Sequence, residues 1–450
     1  MKDIQISDHF DYSTILLFSL PTIGTLIVDN TYVVADGFFI SNYIGAEAFA
    51  SENLIYPPIG FMIGMGFMFG TGASAVISRE MGSGKPERAC GILTMLFLAF
   101  AFLAVLLAAL VYPEVPAIAA WVGASEDLIP LCTAYGEILV IFMPILILTV
   151  ALQLLLITAE RPSLGFATTA VQAAVNILLT WAFVAELGWG LEGAALGTVI
   201  SWVSSSVIPL SYFCNPKNTL HFARPIHQLR ILGETVYNGA SEMVNATSAA
   251  IVSVVFNLQL MRYLGEAGVA AYAVGDYVLG LFLAMLDGIC ISMVSVVGYH
   301  FGAGNHGELR SLRRKGLLLV GGIGILMAGA SAGSAEIIAG IFLGYDESLK
   351  ELATEALRFL SLSYLFLGIT LFSSSYFTGL GQGTLSLVIS LCESLIGPLV
   401  MVHILPSLLG RKGLWLAEPA SQFLTVAVVV TGCFLWWKRM PNLHKSNSWE

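Results

Sequence analysis

The chain has 450 residues, 57% of them hydrophobic and 11% charged, with a net charge of −10 and a mean hydropathy of +0.82. Soluble domains carry about 25% charged residues, so composition excludes a soluble enzyme or nucleic-acid-binding module and indicates an integral membrane protein. Six scattered cysteines, with no CxxC spacing, read as small buried apolar residues rather than a metal or disulfide framework.

In chain order, the polar N-terminus "MKDIQISDHFDYS" is followed by no small-residue cleavage site, so the first apolar run is expected to stay in the mature protein. A span needs about 20 mostly apolar residues. That yardstick predicts twelve spans, at 14–40, 52–78, 89–112, 130–159, 164–186, 192–214, 234–262, 268–298, 316–340, 352–378, 384–409 and 414–437. The resulting topology places 15 of the 20 Lys and Arg on one side, Lys2, Lys438, Arg439 and Lys445 among them. The positive-inside rule makes that side, and both termini, cytoplasmic.

An internal repeat follows. "YIGAEAFA" (43–50) and "YLGEAGVA" (263–270) lie 220 residues apart, as do "GSG" (82–84) and "GAG" (302–304). Six helices per copy is an even number, so the copies share one orientation. The predicted fold class is an all-α membrane protein of two six-helix bundles, related by a pseudo-twofold axis along the membrane normal. Its expected parts are an N-terminal lobe (1–213), a cytoplasmic linker (214–230) and a C-terminal lobe (231–450).

Several segments then resemble the multidrug and toxic compound extrusion (MATE) family, of bacterial type. They are "VADGFFISNYIGAEAFA", "GTGASAVISREMGSGKPERA", "NILLTWAF…GWGLEGAALGTVIS", "YLGEAGVAAYAV", "VVGYHFGAGN" and "LPSLLGRKGLWLAEPASQFL". The resemblance covers essentially the whole chain. It implies a V-shaped cavity between the bundles and efflux of organic cations in exchange for H⁺ or Na⁺, by a monomer in the inner membrane. It implies no cofactor and no partner beyond small organic cations and membrane lipid.

An acid inside a span is a functional candidate by default. Asp36, nine residues before Gly45, matches the acid that similar transporters carry on the first helix. The resemblance adds Asn176 and Thr198 as partners in a cation or proton site. It also expects an acid four residues after Asn176, where this chain has Thr180, which shares the helix face of Asn176 and offers a hydroxyl oxygen as a further member of the site. One carboxylate supplies less charge to a metal cation than two, which favours a proton on Asp36. Asp29 lies seven residues earlier on nearly the same face and could extend a relay.

Glu242 on helix seven matches an acid of one family subgroup, and Asp287 on helix eight is a further candidate for substrate or coupling. Asp276, Asp287 and Glu393 have no family match as coupling residues; they read as cavity-lining or interhelical groups, and Glu418 completes the second lobe's set of acids. No Lys or Arg lies well inside a predicted span, so the cavity should be negative and suit cations. An alternative, a lipid-linked-precursor flippase of the same superfamily, would need cationic cavity residues for its pyrophosphate. An intramembrane enzyme would need metal ligands or a nucleophile–base pair, and no HExxH occurs.

Overall fold

The computed structural model describes residues 4–439, and among them it contains only helices and loops. Lys2 and Lys445, used in the charge count, lie outside the described residues, as do the side chains of Lys438 and Arg439. The first half forms α1 (Tyr12–Ile44), α2 (Ala46–Gly82), α3 (Pro86–Val111), α4 (Ile129–Thr158), α5 (Pro162–Glu186) and α6 (Gly190–Phe213). A short helix, Val115–Trp121, sits beyond the end of α3.

Helix starts follow local chemistry. Asp11 caps α1 by accepting the Thr14 backbone N–H, and that bond, with the Thr14 hydroxyl, holds its carboxyl down at about 2. Pro86 and Pro162 open α3 and α5, where a missing N–H costs nothing.

The second half begins with one helical run, Leu229–Gly302, of 74 residues. At about 1.5 Å per residue it would reach roughly 110 Å, far beyond a ~30 Å hydrocarbon core. Gly265, at φ 64° and ψ −157°, breaks it into α7 (229–264) and α8 (266–302). Only a residue without Cβ sits easily there. Gly45, at φ 125°, makes the corresponding break between α1 and α2, 220 residues earlier. The half is completed by α9 (His306–Leu343), α10 (Glu347–Gly379), α11 (Gly383–Leu409) and α12 (Arg411–Arg439). The twelve expected spans are therefore all helical.

The repeat is visible in the contacts. A Cβ on Gly82 would collide with the Tyr299 carbonyl, and one on Gly302 with the Arg79 carbonyl. Each pair becomes the other under the 220-residue offset, which is what a twofold axis between them requires. Within the halves, Gln153 Nε2 donates to Gly165 O (3.1 Å) and Thr169 Oγ1 (2.6 Å). Ser374 makes the equivalent bonds 221 residues later, to Ser386 O (3.3 Å) and Ser390 Oγ (3.0 Å).

The halves meet along α2 and the ends of α7 and α8 that carry the basic loops. Gly72 abuts the Thr235 carbonyl and Gly239 the Met68 carbonyl, small residues permitting close backbone approach. Arg79 pairs with Glu234 across this contact at 2.7 Å, and Ser83 Oγ donates to Gly302 O at 3.1 Å. Towards the other end the cores separate: Ile40, Ile55 and Ile59 belong to one, Phe256, Leu260 and Ala271 to another.

The sequence division at 213/231 is not a clean boundary of packing. Ile6, Phe10, Ile15 and Phe18 pack into the second half's core with Leu286 and Ile289. The 214–228 segment lies on the first half, with Leu220 fully buried in its core.

Candidate functional site

Asp36 lies one turn before α1 widens into a π-helical segment, Ile40–Ile44, and it is 5% exposed. A second π-helical segment, Trp181–Glu186, follows Thr180 directly on α5 and packs against the first. Such widened turns accompany functional sites frequently. Gly197 lets α6 approach closely, because a Cβ there would lie 3.0 Å from the Thr180 backbone nitrogen.

These elements bring four sequence-predicted residues together. The Thr180 hydroxyl donates to Asp36 Oδ1 at 2.7 Å, and the Thr198 hydroxyl makes a long contact to Oδ2 at 3.5 Å. Asn176 Nδ2 donates to Thr198 Oγ1 at 3.1 Å, which leaves Asn176 Oδ1 buried without a partner. Thr180 thus stands against the carboxylate as a neutral donor where the resemblance expected a second acid. No Lys, Arg or His among the described residues pairs with Asp36, so its negative charge would be offset only by hydroxyl and amide dipoles.

Asp29 is not part of this cluster. It lines an adjoining cavity of about 230 Å³ with Tyr32, Tyr56 and Gln172. Gln172 Nε2 donates to the Tyr32 hydroxyl at 3.0 Å while Gln172 Oε1 accepts from the Ser205 hydroxyl at 3.2 Å, fixing the phenol between this cavity and Asp36.

Glu242 and Asp287 line a cavity of about 290 Å³ in the second half, joined by Asp276, Glu393 and Glu418. Glu393 sits on a π-helical segment of α11, Cys392–Ile396, is 4% exposed, and its Oε2 has no partner. Gln422 accepts from Thr370 (3.1 Å) and donates to Glu418 (3.4 Å), so the wall is organised by hydrogen bonds. Neither cavity is lined by Lys, Arg or His. The described residues hold no group of three or more His, Cys, Asp or Glu able to bind a metal ion.

Sequence reasoning passed over Glu52. It stands in the second turn of α2, 8% exposed, with Oε2 buried and unpartnered. A position at the end of a predicted span reads as interfacial. The usable signal was depth: Asp36 lies nine residues before Gly45 and Glu52 seven after it, so two antiparallel helices hold them at one level.

The fold and site define a twelve-helix membrane protein of two repeated bundles, with Asp36 and Glu52 buried beside a cavity in one and five acids lining a cavity in the other. The MatE family model matches residues 21–182 and again 243–402, once per half. The chain belongs to this family, and it is a membrane transporter, not an enzyme.

It is similar to "Multidrug export protein MepA" of Staphylococcus aureus (strain NCTC 8325 / PS 47), 23% identical over 440 residues and 96% of each chain. The protein of that name from Staphylococcus haemolyticus (strain JCSC1435) is 23% identical over 445 residues, covering 95% of this chain and 96% of the relative. Among solved structures, the fold matches the outward-facing conformation of a multidrug resistance MATE family transporter. The TM-score is 0.88 at 22% identity, covering 99% of both chains. It also matches a superfamily transporter from Pyrococcus furiosus whose description reports reversed binding-pocket polarity, with a TM-score of 0.87 at 22% identity and 99% of both chains.

Proposed function

We propose that this chain is a secondary active multidrug efflux transporter that exports organic cations in exchange for H⁺ or Na⁺ by alternating access. The observation that carries the reading is the Asp36 cluster: a buried carboxyl held only by neutral donors, reached past Tyr32 from a cavity lined without cationic side chains. A carboxyl so placed gains a proton or cation from one side and releases it to the other. Coupling then requires that ion and drug favour opposite facings of the two halves. The names of the curated relatives point the same way.

Of the two ions, the proton is favoured by Thr180, which gives Asp36 a hydrogen bond but no charge for a metal ion. Glu242, Asp287 and Asp29 are assigned to attracting and holding the cation. The moving bodies are the two repeated halves, with the 214–228 segment travelling on the first and the start of α1 held in the core of the second, in a monomer of the inner membrane with cytoplasmic termini. A precursor flippase finds no cationic cavity wall here for a pyrophosphate.

The test is transport of rhodamine 6G by the purified chain in proteoliposomes under separate pH and Na⁺ gradients. Accumulation driven by one of them is expected. Transport unaffected by either gradient overturns the antiport reading.

A further inference from the structure

We propose that Glu52 is a second ion-carrying carboxyl, paired with Asp36, and that α2 supplies here the acid that α5 lacks at Thr180. This rests on the reading that Asp36 carries the coupling ion.

Three observations place it. First, an ideal Cβ on Gly37, the neighbour of Asp36, would lie 3.8 Å from Glu52 Oε2, so the Glu52 carboxyl lies against this stretch of α1. Secondly, two oxygens on different helices, Glu52 Oε2 and Asn176 Oδ1, are buried without hydrogen-bond partners beside the same aspartate. Leaving a buried oxygen unpaired is costly, and more so for a charged group. One lies in the Asp36 cluster and the other against the same stretch of α1, and each is free to meet something that donates or coordinates. Thirdly, each acid has a tyrosine one turn nearer the cavity, Tyr32 on α1 and Tyr56 on α2, and both tyrosines line that cavity. The acids and their phenols thus form a matched pair of faces on antiparallel helices.

The titratable groups around the pair are Tyr32 from α1, Tyr56 from α2, and Tyr135 and Cys132 from α4, with Asp29 on the wall of the adjoining cavity. None of them is cationic, and no ion pair involves either acid among the described residues. Two buried carboxyls on neighbouring helices with no counter-charge each become neutral by taking a proton. Loading the site therefore takes up two protons per cycle, and releasing them as drug binds gives the exchange a stoichiometry of two.

The experiment uses the whole chain in proteoliposomes with membrane potential clamped at zero. The steady-state rhodamine 6G ratio is read across a series of imposed pH differences. The slope of its logarithm against ΔpH reports protons exchanged per drug. A slope near two is expected for the native chain, and a slope near one, at similar thermal stability, for Glu52→Gln. Glu52→Asp should restore the higher slope. An unchanged slope in Glu52→Gln overturns the role of Glu52 while leaving Asp36 in place. Retained proton-driven accumulation in Asp36→Asn overturns the underlying reading instead. Should Glu52→Gln unfold, proton release on rhodamine 6G binding by Glu52→Asp and by the native chain, followed with a pH indicator, keeps the question open to decision. Equal release from both chains at every pH overturns the pairing, and a shifted profile supports it.

Discussion

The two halves carry cavities at equivalent places, yet their acids never coincide. Offsets of 220 or 221 residues turn Thr22, Tyr56, Phe67 and Gln172 of the first cavity into Glu242, Asp276, Asp287 and Glu393 of the second. In the opposite direction Asp29 becomes Ala249, Asp36 becomes Phe256 and Glu52 becomes Tyr272. Thr198, which touches Asp36, has Glu418 as its counterpart, in register with Gly190 and Gly410, both at positive φ. One backbone plan therefore supplies two chambers, and the side chains divide the chemistry between them. The first half seals Asp36 and Glu52, 8% exposed or less, and keeps only Asp29 on its cavity wall. The second spreads its acids around a wall, with Asp276 exposed and only Glu393 fully withdrawn. A sealed acid suits an ion that must be held and released on command. A spread acidic wall suits a cation of varied shape.

The division is broken most directly at Asp36. Asp36→Asn keeps the shape and the Thr180 contact but removes the ionisable group. No resistance above an empty-vector control is expected in a pump-deficient host, at unchanged expression. If resistance persists, the sealed half does not carry the coupling.

The glycine contacts test the symmetry itself. Gly82→Leu and Gly302→Leu each push a side chain into a carbonyl of the opposite half, and overpacking of this kind costs about 1–3 kcal/mol. Being twofold mates, they should lower thermal stability by similar amounts and make cysteine pairs across this contact cross-link less. Strongly unequal losses would show that the halves do not share the contact evenly.

Much of this plan was legible beforehand, for identifiable reasons. Span count and repeat come from long-range features, apolar run length and the Gly45/Gly265 and Gly82/Gly302 spacing, which survive any local detail. The grouping of Asp36, Asn176, Thr180 and Thr198 was anticipated only through resemblance, since no periodicity links residues 36 and 198. Glu52 was missed because its place near a helix end resembles the membrane interface, and only the α1–α2 pairing reveals that it is buried. Nor could the sequence show that the acids of α7, α8, α11 and α12 enclose one space, because that depends on how four helices pack.

The acidic wall of the second half is sharpened by Glu242→Gln and Asp287→Asn. Each removes one charge from a cavity that already holds five carboxyl groups, so each is expected to raise the KM for a dicationic dye several-fold and for a monocation less. The slope of drug ratio against ΔpH should stay as in the native chain. A changed slope would move these acids from substrate holding to coupling, and the contrast between the halves would then be one of degree.

The smallest effect belongs to Thr180→Val, which keeps volume but deletes one hydroxyl. Its 2.7 Å bond stabilises the charged form of Asp36, and hydrogen bonds to charged groups are worth about 1.5–3 kcal/mol. Part of that is recovered, because Thr198 remains in reach of the other oxygen. The bond matters only in the part of the cycle when Asp36 is ionised, so the maximal exchange rate should fall several-fold while drug KM is unchanged. A rise in KM with an unchanged rate would mean that Thr180 contacts the drug. The boundary between the sealed site and the adjoining cavity would then have to be redrawn past Tyr32.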